Sequence, residues 1–119
     1  MSTIRQEQIQ GRLVEEISDM LRRDLRDPRL SRVTVTEASV SRDLRYAKVY
    51  VTVHGPAEEA PAIVDSLQRA AGYLRGEFAR RAHLRFAPEL EFRLDEGIDR
   101  GARIFELLHS VEEDLQKPE

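Results

Sequence analysis

Ser41-Arg42-Asp43-Leu44-Arg45-Tyr46-Ala47-Lys48-Val49-Tyr50-Val51-Thr52-Val53 is the stretch on which the reading of the fold turns. Its second half alternates: Ala47, Val49, Val51 and Val53 share one parity, and Tyr46, Lys48, Tyr50 and Thr52 the other. Period two with β-branched and aromatic residues predicts a strand with one buried and one outward face. Ser41 and Asp43 supply turn chemistry, because their side-chain oxygens bond nearby backbone groups. Upstream, Val33 to Val40 is also β-rich, so the two runs predict an antiparallel hairpin with Arg42 and Arg45 at its tip. In that first run Val33 and Val35 share one parity while Ala38 and Val40 share the other, which predicts a bulge or kink near Thr36 to Ala38.

The apolar residues elsewhere serve to cover this hairpin. Ile9, Leu13, Ile17, Met20, Leu21 and Leu25 recur at helical spacing and predict a first helix from about Arg5 to Arg26. Ser2 or Thr3 caps its start, and Pro28 ends it by pushing the preceding residue out of the helical region. His54-Gly55-Pro56 closes the second strand, and a second helix runs from about Pro56 or Ala57 to Arg69, with Ala60, Ile63, Val64 and Leu67 inward. Pro56 and Pro61 fit only in or before its first turn. Ala70-Ala71-Gly72 interrupts the pattern, and its small residues suit a bend and a close backbone approach. A further helix from Tyr73 to about Leu84 buries Leu74, Phe78 and Ala82, and a third strand follows with Leu90, Phe92 and Leu94 inward. Glu91 and Arg93 on its other side suggest an open face or an edge. A last helix spans about Ile98 to Leu115. The expected fold is α+β: a three-stranded sheet with helices packed on one face. Residues 1–97 form the domain, and the helix within 98–119 packs on it or extends from it.

The chain has 119 residues, enough for one domain with its own core, and no cysteine. Disulfides, thiolate metal sites and cysteine nucleophiles are thereby excluded. No run is long and apolar enough for a membrane span, and the N-terminus lacks the apolar core of a signal peptide, so the expected location is the cytoplasm. The net charge is −3, but it is unevenly spread. Residues 1–88 carry 15 Lys and Arg against 12 Asp and Glu, net +3, and residues 89–119 carry 4 against 10, net −6.

Catalytic signals are weak. His54, His83 and His109 are scattered without metal-ligand spacing, and Asp95, Glu96 and Asp99 read as a solvated acidic loop. No phosphate-binding loop, nucleophile elbow or zinc-protease motif occurs. The expectation is a protein without catalytic residues, metal or cofactor. The basic residues make a better constellation. Arg22, Arg23, Arg26, Arg29 and Arg32 line the end of the first helix and its exit loop, and Arg42, Arg45 and Lys48 surround the hairpin turn. Arg69, Arg75, Arg80, Arg81 and Arg85 flank the bent helices. With Tyr46 and Tyr50 beside Lys48, the pattern suits RNA backbone contact and base stacking. The alternative is that Asp24, Asp27, Asp43 and Glu77 pair with these arginines, leaving a protein–protein adaptor or small homo-oligomer with no RNA partner.

The order helix-strand-strand-helix-bend-helix-strand resembles a type II KH domain. Asp27-Pro28-Arg29-Leu30, the Ser41 to Thr52 block, Ala70-Ala71-Gly72 with Tyr73-Leu74-Arg75, and Leu84-Arg85 with Pro88-Glu89-Leu90 are similar to the ribosome-binding factor A family of bacteria. The resemblance implies a non-enzymatic, monomeric factor that binds the free 30S subunit and 16S rRNA late in assembly. It implies a role in processing the 5′ end of that rRNA and in growth in the cold. Small-subunit ribosomal proteins and a ribosome-dependent assembly GTPase are the further partners implied. In that family an Ala-x-Gly bend replaces the KH G-x-x-G loop, and Ala70, Ala71 and Gly72 fit it, while no G-x-x-G occurs in this chain. The backbone clamp of KH domains is thus missing, and affinity falls to arginine contacts with structured rRNA. The C-terminal part of this chain is acidic, a departure from the family, many of whose members carry a longer polar tail.

Overall fold

The computed structural model describes residues 3–96. In chain order these form α1 (Ile4–Arg23), β1 (Val33–Val40), β2 (Tyr46–Val53), α2 (Ala60–Arg69), α3 (Ala71–Arg81) and β3 (Glu89–Leu94). The strands make one sheet in the order β1-β2-β3, and the helices pack against its apolar side in a single core. The helix expected from Ile98 to Leu115 lies outside the described residues.

β1 and β2 are antiparallel, and their register shifts between Val35 and Glu37, leaving Thr36 as the bulged residue. The bulge is what lets both parities of β1 reach one core: Val35 pairs with Val51, Ala38 with Val49 and Val40 with Ala47, and all six are buried. β3 lies parallel to β2, which needs the long α2–α3 crossover between them. It extends the buried rows, with Leu90 beside Ala47, Phe92 beside Val49 and Leu94 beside Val51. On the other side, Tyr46 and Lys48 are exposed as expected, but Tyr50 is only 4% exposed. It sits on the central strand between Glu37 and Arg93, so neighbours on both sides cover it.

Glutamines satisfy backbone groups at one place on each free edge of the sheet. Gln6 Nε2 donates to Val40 O at 2.9 Å, and Val40 N donates to Gln10 Oε1 at 3.1 Å, so α1 serves both backbone groups at the end of β1. On the opposite edge Gln68 of α2 donates to Leu90 O and accepts from Phe92 N, each at 2.9 Å, as a neighbouring strand would.

Thr3 caps α1 in a reciprocal box with Gln6, whose Oε1 accepts from Thr3 N–H at 2.8 Å. The stripe from Ile9 to Leu21 is buried. The helix ends at Arg23 instead of near Arg26. Asp27, extended because Pro28 follows, accepts from Arg29 N–H at 3.0 Å and caps a separate 3₁₀ turn, Pro28–Arg32. A second short 3₁₀ turn, Ala57–Glu59, precedes α2, so the helix proper begins at Ala60 with Pro61 in its first turn. Between α2 and α3 only Ala70 intervenes (φ −85°, ψ −2°); Ala71 and Gly72 already belong to α3. A Cβ on Gly72 would meet open space, so no close approach requires glycine there. α3 also stops earlier than expected, at Arg81.

Candidate nucleic-acid interface

The hairpin turn is built from its own side chains. Ser41 Oγ donates to Asp43 Oδ1 at 2.7 Å and accepts from Tyr46 N–H at 3.0 Å, while Arg45 N–H donates to Asp43 Oδ1 at 3.1 Å. The Ser41 hydroxyl and the Arg45 N–H hold the Asp43 carboxyl below the usual carboxylate range. Leu44 takes a left-handed conformation (φ 64°), with its side chain packed against the core. This order projects Arg42 and Arg45 away from the sheet, both exposed. Beyond the turn, Glu89 N–H donates to Arg45 O at 2.8 Å, which fixes the start of β3 against the hairpin tip. Arg75 of α3 reaches the same place, its Nε donating to Ala87 O at 3.0 Å.

The expected cations thus fall into two groups at opposite ends of β1, whose eight residues span about 25 Å. At the hairpin end stand Arg42, Arg45, Lys48, Arg75 and Arg85. Arg45 has a loose pairing with Asp43 at 4.0 Å. The other four meet no carboxylate among the described residues. Arg5, not singled out from sequence, joins this end because α1 begins beside Val40.

The second group is largely engaged within the fold. Arg22 and Arg23 approach Asp19 at 3.7 and 3.0 Å. Arg29 pairs with Asp27 at 2.9 Å and donates to Ser66 Oγ, also at 2.9 Å. The Arg29 side chain, aided by its N–H, lowers the Asp27 pKa. Arg32 joins Glu59 at 2.7 Å and His54 O at 2.6 Å, while Arg26 and Arg69 meet no carboxylate among the described residues. Arg69 is exposed at the end of α2.

Arg80 and Arg81 behave unlike the outer-face cations expected from sequence. Arg80 pairs with Glu77. Arg81 lies between α1 and α3, 24% exposed, with Glu16 at 3.2 Å, Asp19 at 2.9 Å, Asp24 at 2.7 Å and Glu77 at 3.1 Å. Hydrogen bonds to Asp19 and Glu77 lead in raising its pKa, and in turn its bonds lower those of Asp19 and Glu77. Four carboxylates around one guanidinium leave it no capacity for an external phosphate.

The aromatic component differs from the expected Tyr46 and Tyr50 pair. Tyr50 is buried, whereas Tyr46 is 57% and Phe86 80% exposed. Phe86 was not singled out from sequence; the available signal is Pro88, which separates it from the alternation of β3 and leaves it in the preceding loop. Among the described residues no three His, Cys, Asp or Glu side chains cluster to hold a metal ion, and no helix is long and apolar enough to cross a membrane.

Comparison with known proteins places this arrangement. The family model for ribosome-binding factor A matches residues 5–108. The chain is 41% identical over 114 residues to ribosome-binding factor A of Desulforamulus reducens, covering 96% of this chain and 95% of the relative. The crystal structure of ribosome-binding factor A from Thermus thermophilus superposes with a TM-score of 0.66 at 29% identity, covering 75% of this chain and 93% of that one. A homology model of the Thermus thermophilus factor, fitted into a cryo-EM map of a 30S complex, superposes with a TM-score of 0.57 at 33% identity and covers 78% of this chain and 93% of that one.

Proposed function

We propose, for a chain that belongs to the ribosome-binding factor A family, that it binds the free 30S subunit through 16S rRNA phosphates at the hairpin end of the molecule. The observation that carries this reading is the sorting of cations: most of those without carboxylate partners gather around the hairpin tip, while those in the last turn of α1 and the 3₁₀ turn after it are mostly paired. A paired arginine must give up its carboxylate before meeting a phosphate; Arg42, Arg75, Arg85 and Lys48 need not. The Thermus thermophilus homologue fitted into a 30S complex supports the choice of partner. With no G-x-x-G loop in the chain, the contact reads shape and phosphate position. The function is that of an assembly factor acting late in 30S maturation and aiding 5′-end processing of 16S rRNA, without chemistry of its own.

Co-sedimentation with isolated small subunits and with intact ribosomes across a salt series tests this. The expected result is binding to free small subunits alone. With two to four phosphates neutralised, affinity falls roughly 10- to 150-fold between about 50 and 200 mM salt. Binding that ignores salt would point to an apolar adaptor contact instead, and absence of binding at low salt would remove the reading.

A further inference from the structure

Beside the hairpin tip lies a groove of about 460 Å³ lined by Asp43, Leu44, Arg45, Tyr46, Arg75, Phe86, Ala87 and Glu89. Tyr46 enters it from β2 and Phe86 from the segment before β3. Both are large, flat and exposed, and neither is needed to fill the core. The Arg85 guanidinium stands over the Phe86 ring, 5.8 Å from its centroid, so a cation covers one face of the ring and leaves the other for a ligand. Arg75 keeps its Nε on Ala87 O, which presents the remaining nitrogens of its guanidinium near the groove.

We propose that Phe86 and Tyr46 form a stacking platform for one unpaired nucleobase of the rRNA, with Arg45, Arg75 and Arg85 placed for the flanking phosphates. This rests on the small-subunit reading above and adds to it a base-level contact. The chemistry selects the occupant. A base inside an A-form helix offers no open face, so only a nucleotide splayed from a loop or bulge can lie against an aromatic ring. An apolar protein segment would gain from the rings but would bury the surrounding guanidiniums unpaired, whereas a nucleotide brings its own phosphates. Two carboxylates share the site. Asp43 remains exposed, but its Oδ1 is engaged by Ser41 Oγ and the Arg45 N–H, and its Oδ2 faces the Arg45 guanidinium at 4.0 Å. Glu89, at the rim, can accept from an exocyclic amine. Stacking is indifferent to base identity, so the preference is for an unpaired position more than for a sequence.

The test uses the full chain and isolated small subunits. Phe86 lies at the surface, so Phe86→Ala, Phe86→Leu and Phe86→Trp should all melt like the parent. Phe86→Ala is expected to weaken binding about tenfold by the same factor at every salt concentration, because no phosphate contact is removed. Phe86→Trp should retain the parent's affinity and Phe86→Leu should not. Dimethyl sulfate probing at matched occupancy should show a change at one or a few unpaired rRNA bases with the parent, and none there with Phe86→Ala. If Phe86→Leu binds as well as Phe86→Trp, an apolar protein contact occupies the groove and the proposal fails. It fails equally if the parent and Phe86→Ala give the same affinity and base reactivities, and in both cases small-subunit binding stands. Should the parent itself not bind, the functional reading falls first and this one with it.

Discussion

His83 shows how much of this fold is settled by single residues that a sequence pattern passes over. It follows α3 in a left-handed conformation, φ 54°. Its N–H donates to Arg80 O at 3.3 Å and Leu84 N–H donates to Ala79 O at 2.8 Å, the two bonds of a Schellman ending. Glycine normally holds that position because it has no Cβ to clash. His83→Gly should therefore stabilise the protein by about 0.5–1 kcal/mol in denaturant titration; a loss of stability would mean the imidazole makes a contact that outweighs the strain. The edge glutamines are another case. Gln68 reads as a solvent-facing helix residue, yet it serves both Leu90 O and Phe92 N. Gln68→Leu keeps the bulk and orphans both groups, at a cost of about 1–3 kcal/mol, with earlier hydrogen exchange in β3. No change in either measurement would show that water replaces the side chain freely. Neither role is legible in sequence, because a helix-face glutamine looks the same whether it meets solvent or a strand edge.

At the scale of elements, the hairpin was the legible part. The parity of Ala47, Val49 and Val51 gave the buried face, and the change of parity in β1 put a bulge or kink near Thr36 to Ala38, where the register shifts at Thr36. Both follow from the strict period of two, where one extra residue reverses every later side chain. Element ends were less legible. Pro28 marked the limit of α1, but the helix stops at Arg23 since Asp27 is taken up by the following turn. The α1–α3 contact was hidden entirely: Arg81 shares its sequence context with Arg80, and only the packing of two distant helices turns it into a hub. Its partners give that contact a pH dependence. Asp19 and Glu77 titrate below their ordinary values of 3.8 and 4.5, chiefly because Arg81 hydrogen-bonds them. Carboxylates depressed in the folded state contribute stability that is full above the unfolded values and fades as pH falls through the folded ones. Arg81→Met should thus lower Tm at pH 7, and the gap from the parent should close below the ordinary carboxylate values. A gap that stays constant from neutral pH down to about 3 would assign the effect to packing by the arginine stem.

Across the whole molecule, the division of charge by end is the organising feature. The sequence supplied the cations, since every basic residue now at the hairpin tip except Arg5 was already a candidate. It did not separate those held by carboxylates from those left over, because pairing depends on which helix faces which. Nor did it place Phe86 beside Tyr46, which needs β3 to run parallel to β2 and so begin at the hairpin tip. The resulting surface concentrates unpaired guanidiniums and exposed rings at one end, opposite the paired arginines in the last turn of α1 and the turn that follows. Long-range steering toward rRNA would orient the molecule with that end leading.

The claim that the hairpin end makes the contact is tested most directly by the salt slope of small-subunit binding in two double variants. Arg42→Ala with Arg45→Ala should reduce the slope of log affinity against log salt by about 2, one for each phosphate lost, with an unchanged melting curve. Arg22→Ala with Arg23→Ala, at the opposite end, should leave the slope as in the parent. If the second pair lowers the slope and the first does not, the molecule meets the subunit by its other end and the account is contradicted.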